Sequence, residues 1–359
     1  MGQHTVRLRY RRRVADSDAL TGSVPPTQLT RRMIIGFGLA APTLAVPWLA
    51  GCAPNDSVVD TPAPGISSPA ATSGPTANTS PTPAASNPTA GQAAPEQTLA
   101  ALAAAILVGP HGNQLSKDHR QLLTFLRDVH TAHAQAITNP LPTATPVSIG
   151  GTSLRGSLAL LSRRETSAAR HYRSAALQAT GTEALLLGSL AVAATSFAPA
   201  ITSGNPPATR PVTNRQSVEL LPEAAAVQEL VRQLHAIVYG YQLAIGKFKV
   251  FSTQRRKAER ELLAHRVFRD RLIAWLNRHS AEVPAPEPAY VPSVAPRNPA
   301  TAGKLIMRMQ TALQPFCGLW LAASATQPDR QRALSALTTA MKTARSWGAP
   351  LQAWPGWST

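Results

Sequence analysis

Only two cysteines occur in 359 residues, Cys52 and Cys317. A disulfide framework and a cysteine metal site are therefore both excluded. Cys317 sits in the apolar run LQPFCGLWLA, where a buried, inert thiol is expected. Aromatic residues make up 5% of the chain, and no stripe interleaves them with basic residues. The formal charge of +17 is thus not that of a nucleic-acid binder. Glycine-rich phosphate loops, G-x-S-x-G and H-E-x-x-H are all missing, which removes the best-marked hydrolase, metalloprotease and nucleotide-binding classes. No Glu has a His three places on. The pairs that a di-iron carboxylate bundle needs are therefore not present, and no cofactor and no metal is expected. No run alternates apolar and polar residues long enough for a sheet.

The most specific pattern lies near the start. Seven arginines, including Arg31 and Arg32, face only Asp16 and Asp18 before an uncharged run from 33 to 50. Leu49, Ala50 and Gly51 then precede Cys52. Positive, apolar and small-residue regions in that order mark an export signal. Leu-Ala-Gly-Cys resembles a bacterial lipobox, in which the cysteine is acylated and the chain is cut before it. Arg31-Arg32 with Ile34 resembles a twin-arginine signal. Pro42, Pro47 and two glycines argue against an uncleaved membrane helix. Residues 1–51 are accordingly expected to be a lipoprotein signal. Cleavage there lowers the formal charge by five, to +12. Membrane attachment through Cys52, on the extracytoplasmic face of a bacterial cell membrane, is the expected location. A basic protein there suits anionic lipid or an acidic envelope polymer as a neighbour.

Residues 52–95 are almost all Pro, Ala, Ser, Thr, Gly and Asn. They are expected to be a disordered linker, because so little apolar surface cannot offset ordering entropy. From 96 onward the spacing turns helical. Segments 96–200 and 216–359 are expected to form two bundles, each of about four helices. In the first, TEALLLGSLAVAATSFA is apolar nearly all round, which predicts a buried helix that Pro199 stops. In the second, short, long and short connections separate four helices, the long one being the Pro-rich stretch at 281–300. That pattern is ferritin-like. The fold class is all-α.

Four stretches of the second half, LHAIVYGYQ (234–242), AHRVFRDRL (264–272), PAY (288–290) and SWGAPLQAWPGW (346–357), together resemble an actinobacterial ferritin-like domain of unknown function. The resemblance implies a four-helix bundle. It marks His235, Tyr239, His265, Arg269 and Asp270 as a candidate polar network between the first two helices; a polar pocket there for an anion or small ligand is the other reading. It also implies a Glu before the first-helix His and another on the third helix, positions occupied here by Leu234 and Gln310.

Other polar residues stand out from the pattern alone. His235 and Tyr239, His265 and Arg269, and Glu261 and His265 are each four apart, so each pair shares a helix face. In the first half, His133 and Glu165 both fall on apolar stripes. If those helices face each other the two form a buried ion pair; a metal site including His130 or His171 is the alternative reading. Trp347, Trp354 and Trp357 are expected to plug the end of the bundle. The function expected from all this is binding or scaffolding in the cell envelope rather than catalysis. A ferritin-like metal binder or oxidoreductase with an atypical site is the alternative, and a carrier of an apolar ligand between helices is a third.

Overall fold

The computed structural model describes residues 93–138, 153–213 and 215–358. The signal residues Arg31, Arg32, Leu49, Ala50 and Gly51, the lipidation candidate Cys52 and the linker up to residue 92 lie outside the described residues. Eight α-helices run through the rest: α1 Ala93–Val108, α2 Lys117–Ile137, α3 Leu154–Gln178, α4 Gly181–Ile201, α5 Glu223–Ile245, α6 Thr253–Arg278, α7 Pro299–Ala323 and α8 Gln327–Ser346. No strand occurs among the described residues, and the protein is all-α, as expected.

The helix starts are written in the sequence. Ser116, Ser153, Ser252, Asn298 and Thr326 each accept a hydrogen bond from a backbone N–H of the first turn. Such caps are worth about 1 kcal/mol each. Asn298 and Thr301 form a reciprocal capping box, with Pro299 at the first helical position. Between α3 and α4 the chain turns at Gly181, whose φ of +60° is a conformation that glycine adopts without steric cost.

In the front half, α1 packs on α2 and α3, and α4 packs on α2 and α3. The four helices close a ring. Its centre is filled by Leu122, Leu126, Leu161, Leu185, Phe197 and their neighbours, all fully or nearly buried. Helix α4 is long and apolar enough to cross a membrane, yet 89% of its most apolar stretch is buried inside the protein. It is a core helix, and each leucine so buried contributes roughly 2 kcal/mol. Pro199 does not stop it. The helix continues to Ile201 with Pro199 in its last turn, and loses there the one ladder bond that an N–H at 199 would give to the Thr195 carbonyl.

In the rear half, α5 packs on α6 and α7, and α7 packs on α8. The connection between α6 and α7 is the long one, as the spacing predicts. α5 ends at Ile245. Pro222 sets its start, and the chain leaves it at Gly246. α6 and α8 do not close against each other. They form the opposite walls of a groove, and α8 instead packs back onto α3 and α4.

The packing therefore runs through the interval at 201–215 that was expected to separate two bundles. α4 also packs on α7, and one continuous core includes residues of both halves. Arg330 of α8 ties them further. Its guanidinium donates to the carbonyls of Leu177, Ser324 and Ala325, near the C-termini of α3 and α7, where a cation meets the negative ends of the helix dipoles. The tail after α8 lies across the junction. Leu351 exchanges backbone hydrogen bonds with Ala208 and Arg210. Gly318 of α7 lets the tail in: a Cβ there would overlap the backbone of Gly356.

Candidate functional site

The groove between α6 and α8 has a volume of about 1080 Å³. Its floor draws on α6, α7 and α8, and its cations on α6 and α8. Phe268, Leu272, Trp275, Leu313, Trp320 and Ala340 give it an apolar floor. Lys257, Arg260, Arg271, Arg278 and Arg332 line its walls, and Glu261 is the only carboxylate among the described residues that line it. Arg332 is engaged by Asp329 at 2.5 Å. Lys257 donates to the Ser346 carbonyl and sits 4.1 Å from the Trp347 ring centroid. Arg260, Arg271 and Arg278 are exposed. A long apolar surface edged by cations is chemically matched to an anion with an apolar body.

At one end the groove is bounded by a hydrogen-bonded chain. Trp347 Nε1 and Tyr241 Oη both donate to Glu261 Oε2, at 2.8 and 2.9 Å. Gln310 Nε2 donates to Tyr241 Oη at 2.9 Å and to His265 Nε2 at 2.6 Å. His265 thus accepts at Nε2, as a neutral ring does. Burial drives its pKa down to about 4, since no carboxylate bonds to it. Burial likewise raises Glu261, against the two hydrogen bonds from Trp347 and Tyr241. Glu261 and His265 share a helix face, as their spacing predicts, but they are joined through Tyr241 and Gln310 rather than directly.

The five residues marked by the resemblance do not come together as one network. His265 turns inward, 8% exposed. His235 bonds to the backbone of Pro284 and has Arg269 and Asp270 as electrostatic neighbours; burial is the main cause of its lowered pKa. Tyr239 stacks obliquely on Tyr290, with ring centroids 5.6 Å apart. Arg269 holds Asp270 at 2.8 Å. These four stay on the side of α5 and α6 covered by the long connection. A step of four residues turns a helix by more than a full circle, so Arg269 lands at the edge of the stripe whose middle holds His265. Tyr241, Gln310 and Trp347 complete the inward network in their place. Tyr241 gave a signal, because a hydroxyl on an otherwise apolar stripe needs a partner. Gln310 and Trp347 come from α7 and the end of α8, at distances along the chain that periodicity does not bridge.

The front half holds a second polar cluster, enclosed by α1, α2 and α3. His133 and Glu165 are both buried, but they are not each other's partners. Glu165 Oε1 lies 2.7 Å from His130 Nε2. His133 Nδ1 lies 3.0 Å from Glu96 Oε2, and the same oxygen lies 2.7 Å from His130 Nδ1. His133 Nε2 meets the carbonyl of Ala353, from the tail, at 2.8 Å. The expected pair is replaced for a geometric reason: His130 lies one turn before His133 on α2, and it is the ring that reaches α3. Glu96 escaped notice because α1 reads as apolar almost throughout. Tyr172 also bonds to Glu96, and burial raises its pKa. Burial alone would lower His130, but the two carboxylates reverse this and raise it to about 10. Burial opposes the charge on Glu96 too, yet the two imidazoles hold it well below the usual carboxylate range.

The turn between α5 and α6 is the most exposed apolar point of the rear half. Phe251 is 86% exposed and Val250 63%, flanked by exposed Lys247 and Lys249. Phe251 has φ of 64°, which costs a non-glycine residue roughly 1–2 kcal/mol.

The rear half is thus a helical module with an open, cation-edged groove. Residues 226–359 match a family described as Domain of unknown function (DUF4439), a domain associated with the ferritin-like class. The groove and its network lie within the match, and the front cluster lies mostly before it. No curated protein matches the chain, and no solved structure matches it.

Proposed function

We propose that this is a lipid-anchored protein of the extracytoplasmic face of an actinobacterial cell membrane, and that its rear groove binds an anionic amphiphile. The observation that carries the binding reading is the groove itself: an aromatic and aliphatic floor, five cations and one carboxylate. An acyl chain on the floor would remove apolar surface from water at about 25 cal/mol per Å². An acidic head at the rim would meet exposed arginines, and both partners keep part of their hydration in such a contact. The Val250–Phe251 tip and its flanking lysines suit contact with an anionic leaflet, where each basic residue near the surface adds about 1 kcal/mol. The N-terminal pattern ending in Cys52 supports anchoring, and Arg31-Arg32 supports export by the twin-arginine route.

Oleate is the probe for the groove. The full-length chain in detergent is expected to bind it in a saturable manner, and Arg271→Glu with Arg278→Glu should weaken that binding at least about tenfold, or ~1.4 kcal/mol. Equal binding by the double variant sinks the groove assignment. Anchoring is checked separately, by labelled palmitate incorporation in a bacterial host. The label should attach to the wild-type chain and be lost in Cys52→Ser; a chain recovered unacylated overturns the anchoring.

A further inference from the structure

The buried cluster of the front half has the organisation of a metal site. We propose that Glu96, His130 and His133 bind one divalent transition-metal cation, with Glu165, Ala353 and Tyr172 as the groups that orient these ligands.

Three donor atoms converge. His130 Nδ1 and His133 Nδ1 lie 2.7 and 3.0 Å from Glu96 Oε2, and one ligand atom from each residue lies within 4.8 Å of the other two. In a tetrahedral site with bonds of about 2.0–2.1 Å, ligand atoms stand roughly 3.3 Å apart. An outward movement of a few tenths of an ångström at the two close pairs would admit an ion. Two imidazoles and a carboxylate form a donor set suited to zinc or ferrous iron.

The far side of each ring strengthens the case. Imidazoles that ligate metals characteristically give their other N–H to a carboxylate or a backbone carbonyl, which fixes the tautomer and aims the ligating nitrogen. Both rings here are held in that way. His130 Nε2 faces Glu165 Oε1 at 2.7 Å, and His133 Nε2 faces the Ala353 carbonyl at 2.8 Å. A His133 that donates to Ala353 from Nε2 turns its Nδ1 lone pair onto a Glu96 oxygen. Two lone pairs 3.0 Å apart need a proton or a metal cation between them.

Charge and burial agree. Two carboxylates, two neutral imidazoles and a divalent cation sum to zero, which suits a pocket whose four residues are at most 1% exposed. Glu165 Oε2 is also buried and has no hydrogen-bond partner. It is an oxygen left uncommitted in a cluster that otherwise satisfies its polar atoms.

The site is independent of the rear groove, and its test does not involve groove ligands. The full-length chain in detergent is unfolded in urea with a chelator, then refolded with Co²⁺ as the probe and desalted. Because the cluster is enclosed, the metal must be present while the chain folds. The expected result is about one Co²⁺ per chain, displaceable when Zn²⁺ replaces it during refolding. A tetrahedral d–d absorption without a sulfur charge-transfer band and a melting temperature above that of the metal-free chain should accompany it. Glu165→Gln, which keeps the side-chain shape, should weaken binding about 10- to 100-fold. Glu96→Gln should weaken it further, and His265→Gln should bind as the wild type does. If Glu96→Gln fails to refold, the wild-type stoichiometry and Glu165→Gln decide the matter. Loss of Co²⁺ on desalting with an unchanged melting temperature overturns the proposal and leaves a proton-filled cluster. Undiminished binding by Glu165→Gln overturns it as well, since the metal would then lie elsewhere.

Discussion

Two buried histidines of this protein sit in opposite electrostatic situations. His130 has a carboxylate at each ring nitrogen, and its pKa rises to about 10. His265 has a neutral amide at Nε2, and its pKa falls to about 4. Burial pushes both downward; the partners decide the outcome. The two halves differ in the same sense. In the front half four helices close a ring around ionised groups. In the rear half α6 and α8 stand apart, the polar network joins a neutral His265 to one carboxylate, Glu261, through Gln310 and Tyr241, and cations line an open groove. Enclosure demands that charges be matched inside, whereas the groove leaves its cations to be matched from outside.

The sharpest way to break this comparison is to unmatch the enclosed charges. Glu165→Ala leaves His130 with one carboxylate in a fully buried site. Removing one partner of a buried pair typically costs about 3–5 kcal/mol, so urea unfolding should show a loss in that range. A loss below about 1 kcal/mol would mean that the front cluster is not closed.

The second effect is a pH dependence set by His265. Its pKa is about 6.5 unfolded and about 4 folded. Between these values the unfolded chain binds a proton that the folded chain refuses. Stability from this group is therefore complete above about pH 6.5 and declines as the pH falls toward 4. The full contribution is about 3 kcal/mol. Glu261, raised by burial, acts in the opposite direction, so the informative quantity is the difference between wild type and His265→Gln. Unfolding at pH 7, 5.5 and 4.5 should show the wild type losing more than the variant; parallel curves would count against a neutral, buried His265.

The smallest effect belongs to Phe251. Phe251→Gly removes the left-handed strain but adds freedom to the unfolded chain, so stability should shift by less than about 1 kcal/mol. Binding to vesicles containing anionic lipid should fall all the same. If binding is unaffected, the exposed tip has no part in surface contact.

The helices were legible because their signals are local. Apolar spacing and proline-rich breaks mark the helices, and side-chain caps start five of them; the error lies at the end of α4, which Pro199 does not stop. The site was less legible because its contacts are not local. His133 and Glu165 were rightly placed on inward stripes, but which histidine reaches α3 depends on how α2 is rotated in the ring. Glu96 is a single carboxylate in an apolar helix, and its burial follows from imidazoles more than thirty residues away. The groove was not legible at all. Only the failure of α6 and α8 to meet turns their arginines into a rim.

The Ala353 carbonyl that holds His133 comes from the tail after α8, whereas Glu96 lies in the first turn of α1. The two contributors to one constellation are thus 257 residues apart in the sequence. Until the tail emerges, His133 lacks its backbone acceptor and Trp354 is not yet packed against its ring. The front ring is thus completed by residues of the tail. A nascent chain cut short by even a dozen residues should carry an unfinished interior at its opposite end.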